Sequence, residues 1–238
     1  MRRPMHSCIE LHIEQGPVLE HAGIPLGVVQ GIQSVRWYRV ECQGMMAHAG
    51  TTPMDRRNDA MATAIGLAQK LYAFAADNAA TQVRLTLGRW LVEPNSVNTI
   101  PGRVEFTIDV RCVDESVLDR FQTALDAAIA ALPKPDAIHY ENFFQRAPTH
   151  FPRHLLDLIE RGCNRASAQA GEGPAQAVTS GAFHDAMYLA DLCPTAMIFV
   201  PSKDGISHNA TEYTDPRELT LGAQALAYTV TALAQQPE

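Results

Sequence analysis

The first extended segment alternates strictly. Ile9, Leu11 and Ile13 are apolar, while Glu10, His12 and Glu14 are polar, which predicts a strand with one face for a core and one for polar chemistry. Gly16-Pro17 ends it. A short helical turn is expected over 18–22, closed by Gly23, and a second extended piece begins at Gly27-Val28-Val29. From residue 35 the pattern settles into a small-domain order. Residues 35–42 have strand composition, with Trp37, Tyr38 and Val40. Residues 59–75 read as an alanine-rich helix with Met61, Ile65, Ala68 and Tyr72 along one face. Residues 82–87 and 104–110 alternate, with Val83, Leu85, Leu87, Phe106 and Ile108 inward. Asp114 caps a helix with the stripe Leu118, Phe121, Leu125, Ile129 and Leu132, and residues 137–144 form another strand. Strand, helix, strand, strand, helix, strand is the ferredoxin-like split pattern.

The remainder returns to an α/β rhythm. Leu155, Ile159 and Cys163 mark a helix, residues 179–185 a loop opening a short helix, and residues 195–200 a buried strand. Asp215-Pro216-Arg217-Glu218 supplies an N-cap, a proline at the first helical position and a capping-box acid. The helix that follows is expected to bury Leu219, Ala223, Leu226, Val230 and Leu233. The reading is therefore an α/β domain in two pieces, residues 1–34 and 147–238, interrupted by a small α+β domain over 35–146.

Charge and cysteine usage narrow the function classes. The 238 residues carry a net charge of -7 with no basic stripe, which argues against a nucleic-acid partner. Five widely spaced cysteines without a CxxC pair suit reduced thiols in a cytoplasm. No apolar run follows Met1-Arg2-Arg3, so no signal peptide is expected, and Gln69 and Lys70 interrupt the most apolar stretch, so no membrane span is expected either.

Candidate chemistry lies in four segments that carry His12, His48, His184 and His208 beside Gly, Pro or polar residues. His6, His21, His139, His150 and His154 read as solvated side chains. His12 and His208 differ in lying at or beyond the ends of predicted strands, where sites in open α/β sheets form. An imidazole flanked by carboxylates is also what a supported metal ligand looks like. Dinucleotide, phosphate-loop and nucleophile-elbow motifs are absent. Ser180, His184 and Asp185 include triad residue types, but adjacent His and Asp do not readily form the relay. Metal-assisted hydrolysis is the class that survives.

Six stretches carry a resemblance. They are Glu-Leu-His-Ile-Glu-Gln-Gly-Pro at 10–17, Ala-His-Ala-Gly-Thr-Thr-Pro-Met at 47–54 and Pro-Asn-Ser-Val-Asn-Thr-Ile-Pro-Gly at 94–102. Thr-Ile-Asp-Val-Arg at 107–111, Ser-Gly-Ala-Phe-His-Asp-Ala at 180–186 and Ile-Phe-Val-Pro-Ser-Lys-Asp-Gly-Ile-Ser-His-Asn at 198–209 complete the set. Together the chain resembles the amidase, hydantoinase and carbamoylase family of zinc-dependent hydrolases. The resemblance implies a metallopeptidase-like α/β catalytic domain with an inserted ferredoxin-like lid and dimerisation domain. It also implies two Zn2+ ions per complete site, replaceable by Mn2+, Co2+ or Ni2+, with His12 a ligand of one and His208 of the other. By the same resemblance His48 reaches the active site from the lid and polarises the scissile carbonyl. His184 binds or orients substrate near the metals, and both histidines stabilise developing charge. Gln15 contacts substrate, Asn98 and Arg111 hold its carboxylate, and Gly181 and Ala182 offer backbone groups. Arg111 has an alternative as a cross-strand partner of Asp109 or Glu105.

Two departures qualify these implications. Phe183 stands where many members have glycine. The family's remaining ligands and its general-base glutamate come from a region upstream of the His12 stretch, so this chain alone is expected to bind zinc weakly, to turn over nothing and to fold poorly outside the lid. The implied substrate is a small carboxylate bearing a ureido or amide group. N-carbamoyl-L-amino acids come first, allantoate and ureidopropionate are alternatives, and the enzyme is expected to be a homodimer through the lid. A reading from another class is a non-catalytic binding or dimerisation module.

Overall fold

The computed structural model describes residues 5–235. It opens with β1 (Cys8–Ile13), α1 (Val18–Ala22), β2 (Gly27–Ile32), β3 (Ser34–Gln43), β4 (Ala47–His48) and α2 (Ala60–Asp77). β5 (Arg84–Glu93), β6 (Thr99–Ile100), β7 (Arg103–Cys112), α3 (Glu115–Ala130) and β8 (Ile138–Arg146) follow. β9 (Thr149–His150), α4 (Arg153–Ala170), β10 (Gln176–Ser180), α5 (Asp185–Leu189), β11 (Thr195–Val200) and α6 (Pro216–Ala234) complete the order. Two compact units result. One is Ser34–Pro148, and the other is made of the described residues on either side of it.

The discontinuous unit is built on a mixed sheet in the order β1-β11-β2-β10, with β9 on β2. β1 runs parallel to β11, placing His12 opposite Phe199, whereas β11 and β2 are antiparallel. Ile9, Leu11 and Ile13 pack into the core, as their alternation requires. α4 and α6 pack on each other, and α6 also lies against β1 and β11. The fully buried side of α6 is Leu221, Gly222, Ala225 and Thr229; of the expected stripe Leu226 and Leu233 pack against the core, while Leu219 and Val230 are 45% and 48% exposed. Close approach decides the face. A Cβ at Gly222 would stand 2.7 Å from Val200 Cγ1 and 2.8 Å from Leu11 Cδ1, so the helix turns its small residues inward. β10 was not expected, because Gln-Ala-Val-Thr-Ser carries a weak strand signal.

Ser34–Pro148 forms a four-stranded antiparallel sheet in the order β5-β7-β3-β8. With α2 and α3 this is the β-α-β-β-α-β order read from the pattern. Tyr38, Val40, Phe106 and Ile108 meet Leu67, Leu71, Phe121 and Leu125 in its core. The alternate β3 and β7 residues Arg39, Glu41, Arg103 and Glu105 join in ion pairs. The stripe expected on α2 is met only in part, with Ala68 buried and Met61 packed against the core. Ala60, Ala64, Leu67, Ala68 and Leu71 are buried, while Ile65 and Tyr72 are about half exposed. Apolar residues surround this helix, so the pattern alone selects no face.

Candidate metal centre

The polar face of β1 is where chemistry gathers. Glu10 and His12 share that face, and α5 packs against β1 and β11. The segment entering α5 brings His184 onto His12, their ring centroids 4.6 Å apart with an edge-on interplanar angle of 71°. His184 reaches this place from the short segment that joins the end of β10 to α5. Its other ring neighbour is Phe199, at 5.5 Å.

Hydrogen bonds orient each donor. His12 Nδ1 lies 2.8 Å from the Ile13 carbonyl oxygen. A carbonyl can only accept, so Nδ1 carries a proton, and the lone pair of the neutral ring is on Nε2. Glu10 Oε2 accepts the Ala186 N–H at 2.8 Å, leaving Oε1 3.9 Å from His184 Nδ1. His184 is buried, with Nε2 2.7 Å from the Ser180 hydroxyl and Nδ1 without a hydrogen-bond partner. Burial lowers its pKa to about 4, and the charge of His12 adds to this, so the ring is neutral at pH 7. One ligand atom each from Glu10, His12 and His184 lies within 4.8 Å of the others. Two imidazoles and a carboxylate suit a zinc-type cation.

A polar chain flanks this group. Gln15, at φ 58°, donates from its side chain to Ser207 Oγ at 2.8 Å and from its backbone to Ser202 Oγ at 3.0 Å. Ser207 donates in turn to Glu212 at 2.8 Å, and the His208 backbone N–H donates to the same carboxylate at 3.1 Å. These two hydrogen bonds, Ser207 first, hold the Glu212 carboxyl below its usual range, with His208 and His12 adding their charges. Glu212 thus holds Ser207 and the His208 backbone, and it lies close enough to His12 to feel its charge. Sequence reasoning passed over it, because a lone glutamate in a loop resembles any solvated acid. Glu10 was noted only as a neighbour of His12. Ala182, expected to offer backbone groups, exchanges both its N–H and its C=O with Ser180 Oγ, at 3.1 and 3.2 Å.

The other expected residues belong to the Ser34–Pro148 unit. His48 in β4 pairs with Thr99 in β6. Its Nδ1 accepts N–H groups from Gly50 at 3.0 Å and Thr51 at 3.2 Å, so the proton sits on Nε2 and the exposed ring offers a donor. Asn98 joins it on this ribbon, its backbone oxygen accepting Ala49 N–H at 2.9 Å and its side-chain oxygen accepting Ser96 Oγ at 2.9 Å. Arg111 is elsewhere. It sits near the far end of β7 from Arg103, roughly 26 Å along the strand. Its guanidinium grips Asp109 through Nε at 2.8 Å and Nη2 at 2.6 Å, the bidentate partner foreseen as its alternative.

A mixed α/β unit with a two-histidine, one-carboxylate cluster on its sheet has donors that could hold a metal ion. The model of Peptidase family M20/M25/M40 matches residues 1–232, and the chain belongs to that family. The N-carbamoyl-L-amino acid amidohydrolase of Geobacillus stearothermophilus is 37% identical over 227 residues, covering 95% of this chain and 54% of that protein. The allantoate amidohydrolase of Bacillus subtilis (strain 168) is 35% identical over 227 residues, covering 94% and 54%. The crystal structure of an amidase of the hydantoinase/carbamoylase family from Burkholderia multivorans superposes with a TM-score of 0.87 at 39% identity, covering 99% of this chain and 56% of that one. The chain spans about half the length of these relatives. Among the described residues no helix is long and apolar enough to cross a membrane.

Proposed function

We propose that this chain belongs to a metal-dependent hydrolase of linear amide or ureido C–N bonds, with an N-carbamoyl-L-amino acid as substrate. The observation that carries the reading is the Glu10, His12 and His184 cluster, in a chain 35–37% identical to relatives named for carbamoyl amino acid and allantoate hydrolysis. The cofactor proposed is Zn2+, two ions per complete site, held in part by His12 and His208, with Mn2+, Co2+ or Ni2+ as substitutes. Such a metal, when bound, activates water and polarises the scissile carbonyl.

The residues of this chain divide the remaining work. His48 donates its Nε2–H to the carbonyl oxygen as charge develops there. Asn98 offers its side-chain amide to the substrate carboxylate, and Arg111, pre-oriented by Asp109, offers its charge. Gln15, Gly181 and Ala182 contact the substrate, and His184 stays beside His12 on the metal side. The unit containing His48 acts as lid and dimerisation domain. Arg111 stands at the opposite end of its sheet from His48 and Asn98, so one unit cannot apply both ends to a single small carboxylate. A homodimer in which a second copy supplies one of these ends is part of the proposal. The setting proposed is the cytoplasm, with no nucleic-acid or membrane partner.

The test combines this chain with the portion of the Geobacillus stearothermophilus relative that it does not span, and assays N-carbamoyl-L-amino acids, allantoate and ureidopropionate with Zn2+. Turnover of the first, reduced at least about 100-fold by His48→Ala, is the expected result. A folded, zinc-loaded assembly that hydrolyses none of the three sinks the proposal. That outcome favours the second reading, a non-catalytic dimerisation module, which the self-contained core of Ser34–Pro148 supports.

A further inference from the structure

Gln33 is a polar side chain in a buried place. It follows Ile32 at the end of β2, precedes the fully buried Ser34, and is itself 6% exposed. Its backbone N–H donates to the Ser180 carbonyl oxygen at 3.0 Å, which fixes it beside the segment that leads to His184. The side chain has no such anchor, for Oε1 is buried without a hydrogen-bond partner. An unpaired buried amide costs stability where an apolar side chain of the same size does not. The fold of the free chain therefore gives no reason for a glutamine here, and the neighbouring Gly181 suggests one. Both residues lie in the discontinuous unit. A Cβ at Gly181 would stand 3.8 Å from Gln33 Oε1, and among the described residues no other atom beyond its chain neighbours comes within 4 Å. Gly181 is exposed, so the amide borders space that a ligand can enter.

We propose that Gln33 is a further substrate-binding residue, whose side-chain amide pairs with the terminal ureido group of a ligand held beside Gly181. A primary amide carries a carbonyl oxygen and an N–H donor side by side, and rotation about its last side-chain bond exchanges them. A terminal ureido group presents the complementary edge, its NH2 next to its carbonyl oxygen, so two hydrogen bonds close together. A carboxylate has no N–H to give to Oε1. An N-acetyl group has a methyl in place of the NH2, and its trans amide N–H points away from the carbonyl oxygen. The ligand class rests on the hydrolase reading, in which Gly181 contacts substrate and Gln33 has no part.

The experiment adds N-carbamoyl-L-alanine or N-acetyl-L-alanine to the full 238-residue chain and follows the side-chain 15N–1H resonances of Gln33, assigned through its backbone. A saturable shift with the carbamoyl compound is expected. The acetyl compound should bind about 10-fold more weakly, the factor that one neutral hydrogen bond supplies. Gln33→Met, which keeps the volume, should bind both compounds equally and raise the thermal midpoint of the ligand-free chain. Resonances that ignore both compounds belong to an amide served by water alone, and overturn the proposal. A Gln33→Met variant with a lowered midpoint, or one that still prefers the carbamoyl compound, overturns it as well. The unsubstituted chain carries the spectroscopic arm by itself, whether or not the variant folds. Binding is read without turnover, so an assembly that hydrolyses nothing sinks the hydrolase reading and leaves this result to be judged on its own.

Discussion

At position 162 the absence of a side chain lets α4 and α6 meet. A Cβ there would stand 2.4 Å from Thr229 Oγ1 and 2.8 Å from the Ala225 carbonyl oxygen. Neither neighbour yields easily, since Thr229 is fully buried and itself donates to Ala225 O at 2.8 Å. Gly162→Ala is expected to cost about 1–3 kcal/mol despite its better helix propensity, and urea unfolding monitored by circular dichroism measures it. A change within about 0.3 kcal/mol of zero would mean the helices slide apart without cost. The same scale explains the site. His12 was legible as a ligand candidate from the carboxylates around it. Glu10 and Glu212 were not, because only folding decides which acids face an imidazole. Ser180 was visible as a triad-type residue, but its part in holding His184 depends on distances no spacing reveals.

Elements were legible where chemistry and periodicity agreed. Asp114 caps α3 as read from the sequence, accepting from Ser116 N at 2.9 Å, and Asp59, read there as the first helical residue, caps α2 by accepting from Met61 N at 2.9 Å. Replacing either by alanine is expected to destabilise the Ser34–Pro148 unit by about 1 kcal/mol, read as a lower midpoint in that unit's transition. Asp119→Ala, an exposed residue in the interior of α3 paired with Arg36 at 2.6 Å, should cost less than about 1 kcal/mol, as exposed ion pairs do. Equal losses at Asp114 and Asp119 would argue against capping as the cause. The elements that escaped notice are short or polar. β10 lacks an apolar run, and the two-residue strands β4 and β6 are strands only through each other. On α2 and α6 the helix was foreseen and its inward face only in part. Small residues allow the closest approach and register least in a count of hydrophobic positions.

The described residues form two cores that share none of their buried residues. Ser34–Pro148 closes its sheet with its own two helices, so that segment expressed alone is expected to melt in a single cooperative transition. A broad, non-cooperative melt would show that it borrows stability from the rest of the chain. The proposed cation site lies wholly in the other unit. Zn2+ at 100 times its dissociation constant should stabilise that unit by about 2.7 kcal/mol and leave the Ser34–Pro148 transition in place. Differential scanning calorimetry with and without EDTA separates the two effects.

What the sequence determined by itself was local: the alternation of β1, the capped helices, the β-α-β-β-α-β order and the family motifs that single out His12, His48, His184 and His208. Tertiary structure decided which of these meet. His184 comes 172 residues after His12 yet packs on it, because the short segment joining β10 to α5 brings it there. Arg111, only 13 residues after Asn98, lies near the other end of a strand. Sequence separation does not report spatial distance, since an extended strand carries its ends apart while a parallel pairing such as β1 with β11 joins remote segments.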